Sequence, residues 1–175
     1  MECRSEADTA EARDPRPLHR VECRRRPRNP GWLRPGQRVI VVDATIWVDL
    51  LRGTLPSGYS DRIAIAGCVS APNVDFEVGS ALIRLERRGD LEPGQAEALI
   101  TAFSAHPVDR VREPVDAVEA IRILDNATYA DAWYIAIAKR REFPLMTLDD
   151  GMKEAARIHG VELVGPPNPE PDQPA

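Results

Sequence analysis

The sequence predicts a single α/β domain built on a mainly parallel central sheet of four to five strands, with helices on both faces. Three observations predict it. Short apolar runs rich in β-branched residues recur across residues 39–164, helical stretches separate them, and the first run, Val39–Val42, is apolar at every position. A strand without polar alternation is one buried on both faces, and strands joined through helices need crossover connections, which make a parallel sheet.

After Val39–Val42 a short helix is expected over 45–51, closed by Gly53. A second helix over 59–66 leads into a brief strand at 68–70. The next helix, 73–88, stops at Gly89, and its Val78, Leu82 and Leu85 share one face, the face a core requires. Pro93 opens a further helix ending near His106, and 108–111 reads as a strand. Pro114 starts a helix through Leu124, 129–141 forms another, and 145–147 a strand. A helix over 149–159 and a last strand over 161–164 complete a domain spanning 39–165.

The flanks differ from this body. Residues 1–38 carry ten arginines, among them Arg24-Arg25-Arg26, and five prolines, without a periodic apolar pattern. Such a stretch cannot bury enough surface to fold alone, so it is expected to be a disordered extension, or translation assigned to an upstream start codon. An arginine-rich RNA-binding arm is the functional alternative. Residues 166–175 are proline-rich and are expected to be disordered as well.

Bulk properties narrow the function classes. No apolar run approaches the roughly 20 residues needed to span a bilayer, and no apolar secretory signal opens the chain, so a cytoplasmic protein is expected. Cys3, Cys23 and Cys68 form no CxxC pair, which disfavours a disulfide framework or a zinc site. Residues 39–175 hold 13 basic against 22 acidic residues, a poor balance for neutralising phosphates directly. Acids gathered around divalent cations would invert that local field.

Four acids fit such a gathering. Asp43 directly follows the first strand and Asp149 follows the strand at 145–147, so both belong at the carboxyl edge of the sheet, where open parallel sheets bind ligands. Glu77 and Asp131 lie in the first turns of helices that begin at the same edge. Each acid also has a plain structural use at a helix N-terminus, worth roughly 0.3–1 kcal/mol, and Thr128 with Asp131 reads as a capping box. Asp43 is the exception in this reading, because a strand end needs no cap.

The residues around these acids form ordered motifs. Val41-Val42-Asp43-Ala44-Thr45, Asn73-Val74-Asp75-Phe76-Glu77-Val78, Thr128-Tyr129-Ala130-Asp131-Ala132-Trp133-Tyr134-Ile135-Ala136-Ile137-Ala138 and Leu145-Met146-Thr147-Leu148-Asp149 resemble the successive motifs of PIN-domain nucleases, in particular the VapC-type toxins of bacterial toxin–antitoxin pairs. The resemblance runs in order over about residues 39–165. It implies that Asp43, Glu77, Asp131 and Asp149 are the catalytic, metal-binding acids, supported by Thr45, Asn126, Thr128 and Thr147. Asp150 stands beside Asp149 as a rival for the fourth place.

The resemblance further implies a Mg²⁺- or Mn²⁺-dependent endoribonuclease with an RNA substrate, a cognate antitoxin and a homodimeric state. An all-oxygen set suits Mg²⁺ or Mn²⁺, and in-line hydrolysis by metal-activated water is the matching chemistry, with one ion or two left open. Two basic clusters, Arg84-Arg87-Arg88 and Lys139-Arg140-Arg141, are candidate RNA contacts, although basic residues also favour helix C-termini. Trp47 and Leu51 read as core, in a part of the domain where the resemblance places dimer or antitoxin surface. A haloacid-dehalogenase-like phosphatase would want an acid where Thr45 stands, and a receiver domain a late-strand lysine that 145–148 lacks. His19, His106 and His159 occupy a tail, a turn and a helix end, which disfavours histidine-based cleavage. A non-catalytic PIN-like module that binds RNA or protein is the remaining alternative.

Overall fold

A computed structural model describes residues 38–124 and 127–165. Asn126, the arginine run, Cys3, Cys23, His19 and all of the expected extension except Arg38 lie outside the described residues, as does the tail 166–175.

Four strands, β1 (Val39–Val42), β2 (Gly67–Ser70), β3 (Asp109–Arg110) and β4 (Leu145–Met146), pair in the order β3-β2-β1-β4. All three pairings are parallel, with Val41 opposite Val69 of β2 and opposite Leu145 of β4. The crossovers contain α1 (Ala44–Arg52), α2 (Tyr59–Ile65), α3 (Val74–Arg88), α4 (Gln95–Ser104), α5 (Pro114–Ile121) and α6 (Tyr129–Arg141), and α7 (Asp150–Ile158) follows β4. Ile40, Val41 and Val42 are buried in succession, as are all four residues of β2, so both faces of the sheet are covered.

The expected elements are present, with one exception. The strand expected over 161–164 contributes a single parallel bridge, Leu163 to Leu145, held by Leu145 N donating to Glu162 O at 2.8 Å and Val164 N to Leu145 O at 2.9 Å. Pro166 and Pro167 follow at once and have no amide hydrogen with which to extend a ladder. The helix from Pro114 is also shorter than expected, ending at Ile121.

Two features of the core bear on the site. In α6, Ala132, Tyr134, Ile135, Ala136, Ile137 and Ala138 are all buried, and this helix packs against β1 and β4 as well as α5 and α7. A helix buried nearly all round has no amphipathic stripe, and its alanines let the strands approach closely. On α1, the buried Trp47 donates from Nε1 to Ser70 Oγ at 2.9 Å, and Ser70 Oγ donates to Val42 O at 2.6 Å. This chain of bonds fixes α1 to the ends of β1 and β2. Trp47 also packs on Phe103 and the half-buried His106, so the indole is part of the core and that histidine lies against it. The Cys68 thiol is buried and pushed up to about 12, which keeps it protonated and inert. Among the described residues no helix is long and apolar enough to cross a membrane.

Candidate active site

Strand order changes direction at β1: the chain moves to β2 and β3 on one side and returns to β4 on the other. The carboxyl ends of β1 and β4 therefore flank the crevice where ligands of open parallel sheets bind. Asp43 follows β1 there, and its backbone N–H donates to Met146 O of β4 at 3.0 Å.

The Asp43 carboxylate is 3% exposed and fully engaged. Oδ1 accepts from Ala44 N at 2.6 Å. Oδ2 accepts from Thr45 Oγ1 at 2.5 Å, Thr147 Oγ1 at 2.9 Å and Thr45 N at 3.4 Å. Burial raises its pKa above the ordinary carboxylate value, against the opposing pull of the two threonine hydroxyls and the two amides. One expectation is corrected here. The helix begins at Ala44, one residue earlier than the sequence indicated, so Asp43 is its N-cap and does have a structural use.

Thr147 links this acid to the next. Its Oγ1 donates to Asp43 and accepts from Asp149 N at 3.0 Å, while Leu148 N donates to Thr45 Oγ1 at 3.3 Å. The β1–α1 and β4–α7 turns are thereby stitched together through two hydroxyls. Asp149 caps α7, its Oδ1 accepting from Met152 N at 2.6 Å. Asp150 stands in solvent, its side chain 94% exposed, on Lys153 at 2.8 Å, which lowers its pKa.

Glu77 and Asp131 complete the rim from helices. Thr128 caps α6 and donates to Asp131 Oδ2 at 2.6 Å, while Asp131 N donates to Thr128 Oγ1 at 3.3 Å. Glu77, half-buried in α3, accepts at Oε2 from the hydroxyl of Tyr134 at 2.5 Å. Burial is the main cause raising the Glu77 pKa; the Tyr134 bond opposes it, and the charges of Asp43 and Asp131 raise it further. Three acids from β1, α3 and α6 therefore feel one another. The Asn73 amide faces the same carboxylate, near enough to favour its ionised form but outside hydrogen-bonding geometry. Burial first, then Glu77, Asp43 and Asp131, push the Tyr134 phenol far above its ordinary range, so it acts as a donor.

Among the described residues, no lysine, arginine or histidine forms an ion pair with Asp43, Glu77, Asp131 or Asp149. Glu77, Asp131 and Asp149 each have one oxygen bonded to the protein and one that accepts no bond from the described residues. No three acidic, histidine or cysteine side chains among those residues converge closely enough to enclose an ion alone. The donors are hard carboxylate oxygens, the type that Mg²⁺ or Mn²⁺ would take, with water needed to complete the coordination. The set does not resemble a closed zinc cage.

The basic clusters are placed differently. Arg84, Arg87 and Arg88 lie in the C-terminal half of α3, with Arg88 on Asp90 at 3.1 Å. Lys139 pairs with Glu119 at 2.8 Å. Arg141 is buried and donates to both oxygens of Asp116, at 2.9 and 3.1 Å, and Arg140 donates to the same fully buried carboxylate. The second cluster thus joins α6 to α5. Asp116 and Tyr134 carry no mark in the sequence analysis. For Tyr134 a signal existed, since it follows Asp131 by three residues and shares its side of the helix; for Asp116 the partners lie 24 and 25 residues away.

Comparison with known proteins gives the family of the domain. The PIN domain family matches residues 40–158. Two curated relatives from Mycobacterium tuberculosis, strains CDC 1551 and H37Rv, are "Ribonuclease VapC3", 30% identical over 118 residues, and "Ribonuclease VapC1", 32% identical over 118 residues. The matched segment covers 66% of this chain in each case, and 86% and 89% of the two relatives.

Proposed function

The chain belongs to the PIN-domain family, and from that premise we propose that it is the toxin of a toxin–antitoxin pair, a Mg²⁺- or Mn²⁺-dependent endoribonuclease. The observation that carries this reading is the rim of four acids without a basic partner among the described residues, where the charges of Asp43 and Asp131 both bear on Glu77. Such a rim is costly unless a cation occupies it, and a cation there gives an acidic protein a way to hold phosphate.

Asp43 and Asp131 are the principal ligands in this proposal. Glu77 holds a cation or orients the attacking water, and Asp149 completes the set. A bound Mg²⁺ or Mn²⁺ supplies Lewis acidity, which acidifies water and offsets the charge on phosphate and leaving oxygen. The chain supplies the rest. Thr45 and Thr147 hold Asp43 in place at the carboxyl end of β1. The unbonded oxygen of Glu77, in a half-buried setting that favours proton uptake, is placed to accept a proton from water as the phosphodiester opens. In-line attack of water on phosphorus with cleavage of the P–O3′ bond, the 3′ oxygen leaving and taking up a proton, would give a 5′-phosphate and a 3′-hydroxyl. The native substrate is RNA, and a cognate antitoxin and a second copy of the chain are the protein partners in this proposal.

The test is cleavage of total RNA by purified protein with Mg²⁺ or Mn²⁺, with and without chelator, beside Asp43→Asn. Cation-dependent cleavage abolished in the variant is expected. RNA binding without cleavage would instead identify a non-catalytic module, and cleavage surviving chelator would overturn the metal chemistry. Growth arrest on expression, relieved by the neighbouring gene, tests the toxin role.

A further inference from the structure

Tyr134 sits in the buried middle of α6, one turn beyond Asp131, and is fully buried. Its neighbours along the helix, Ala132, Ile135, Ala136, Ile137 and Ala138, are apolar and buried too. A phenol in such surroundings is costly unless its hydroxyl is bonded, and phenylalanine would fill nearly the same space. The hydroxyl has one partner among the described residues, Glu77 Oε2 at 2.5 Å. That length is typical of a bond to an ionised acceptor. It is also the only side-chain hydrogen bond between α3 and α6 among the described residues.

The structure assigns Tyr134 as the positioning residue for Glu77: its buried hydroxyl fixes Oε2, so that Oε1 is the oxygen turned to the cation and its water. This rests on the proposed function and adds to it a residue that touches neither RNA nor cation. Glutamate loses side-chain entropy when held still, a cost the protein then meets in advance of binding. One helix thus governs two acids, Asp131 by carrying it and Glu77 by gripping it.

Tyr134→Phe tests the assignment with three readouts: calorimetric Mn²⁺ affinity, melting temperature of the cation-free protein, and RNA cleavage kinetics. Loss of a group that orients a metal ligand typically weakens metal binding by roughly 10–100-fold. About tenfold weaker Mn²⁺ binding is expected, with a melting temperature within a few degrees of wild type, lower kcat and unchanged KM. In a Glu77→Gln background, Tyr134→Phe should add nothing to the loss of Mn²⁺ affinity, because both changes act through one carboxylate. Undiminished Mn²⁺ affinity in Tyr134→Phe, an additive loss in the double variant, or a Tyr134→Phe protein that does not fold would each overturn the assignment. Wild-type protein that binds no Mn²⁺ would overturn the proposed function along with it.

Discussion

Thr147 Oγ1 stands 2.9 Å from Asp43 Oδ2, joining two residues 104 positions apart in the chain, and the same oxygen accepts the Asp149 amide. One hydroxyl thus fixes the geometry of two acids. Thr147→Val keeps the shape and removes both bonds, leaving a buried carboxylate oxygen and an amide short of a partner. The expected cost is about 1–3 kcal/mol of stability, measured by denaturant unfolding, with cleavage down by at least tenfold. Thr147→Ser should restore both. Equal activity in the valine and serine variants would show that the hydroxyl does not position the site.

Asp43 and Glu77 both have raised pKa values, with burial the largest cause in each. The folded protein therefore holds these protons more tightly than the unfolded chain. The stability they contribute is complete below the ordinary carboxylate pKa and is lost as pH rises through the raised values. Cations favour the ionised forms and reverse that loss. The rise in melting temperature on adding Mn²⁺ should accordingly be larger near pH 8 than near pH 5, and Asp43→Asn should flatten the difference. A Mn²⁺ effect independent of pH would contradict this coupling.

Much of this arrangement is legible in the sequence because it depends on local rules. Val39–Val42 is apolar throughout and forms the central strand; Gly53 and Gly89 end α1 and α3 with φ of 71° and 81°. The four acids follow strands or open helices, so topology alone brings them to one edge. What the sequence does not display is tertiary. Whether Asp43 caps a helix depends on the residue at which α1 starts, and a shift of one residue changed the answer. The strand expected over 161–164 has suitable composition but little to pair with beyond Leu145. Tyr134 looks like one more apolar residue of a buried helix until Glu77, 57 positions away, is placed beside it.

Asp149 and Asp150 are adjacent, yet one caps α7 and the other meets solvent and Lys153. Asparagine caps a helix about as well as aspartate, so Asp149→Asn removes charge while sparing the cap. It should lose cleavage activity with little change in stability. Asp150→Asn removes a fully exposed, solvent-screened ion pair and should leave both stability and cleavage near wild type. Parallel kinetics and melting curves on the two variants decide the assignment, and the reverse ranking would give the fourth place to Asp150.

Lys139, Arg140 and Arg141 read in sequence as a basic patch, but in the fold they face α5 in three degrees of burial. Lys139, with its side chain 40% exposed, pairs with Glu119, whereas the side chain of Arg141 is 3% exposed and forks onto Asp116, which is fully buried. Removing one partner of a buried pair strands the other charge and costs about 3–5 kcal/mol. Asp116→Ala should therefore destabilise severely, while Lys139→Ala should change stability by less than about 1 kcal/mol. If the cluster serves to clamp α5 to α6, Lys139→Ala will also leave the KM for RNA unchanged. A several-fold rise in KM with normal stability would return Lys139 to the RNA interface.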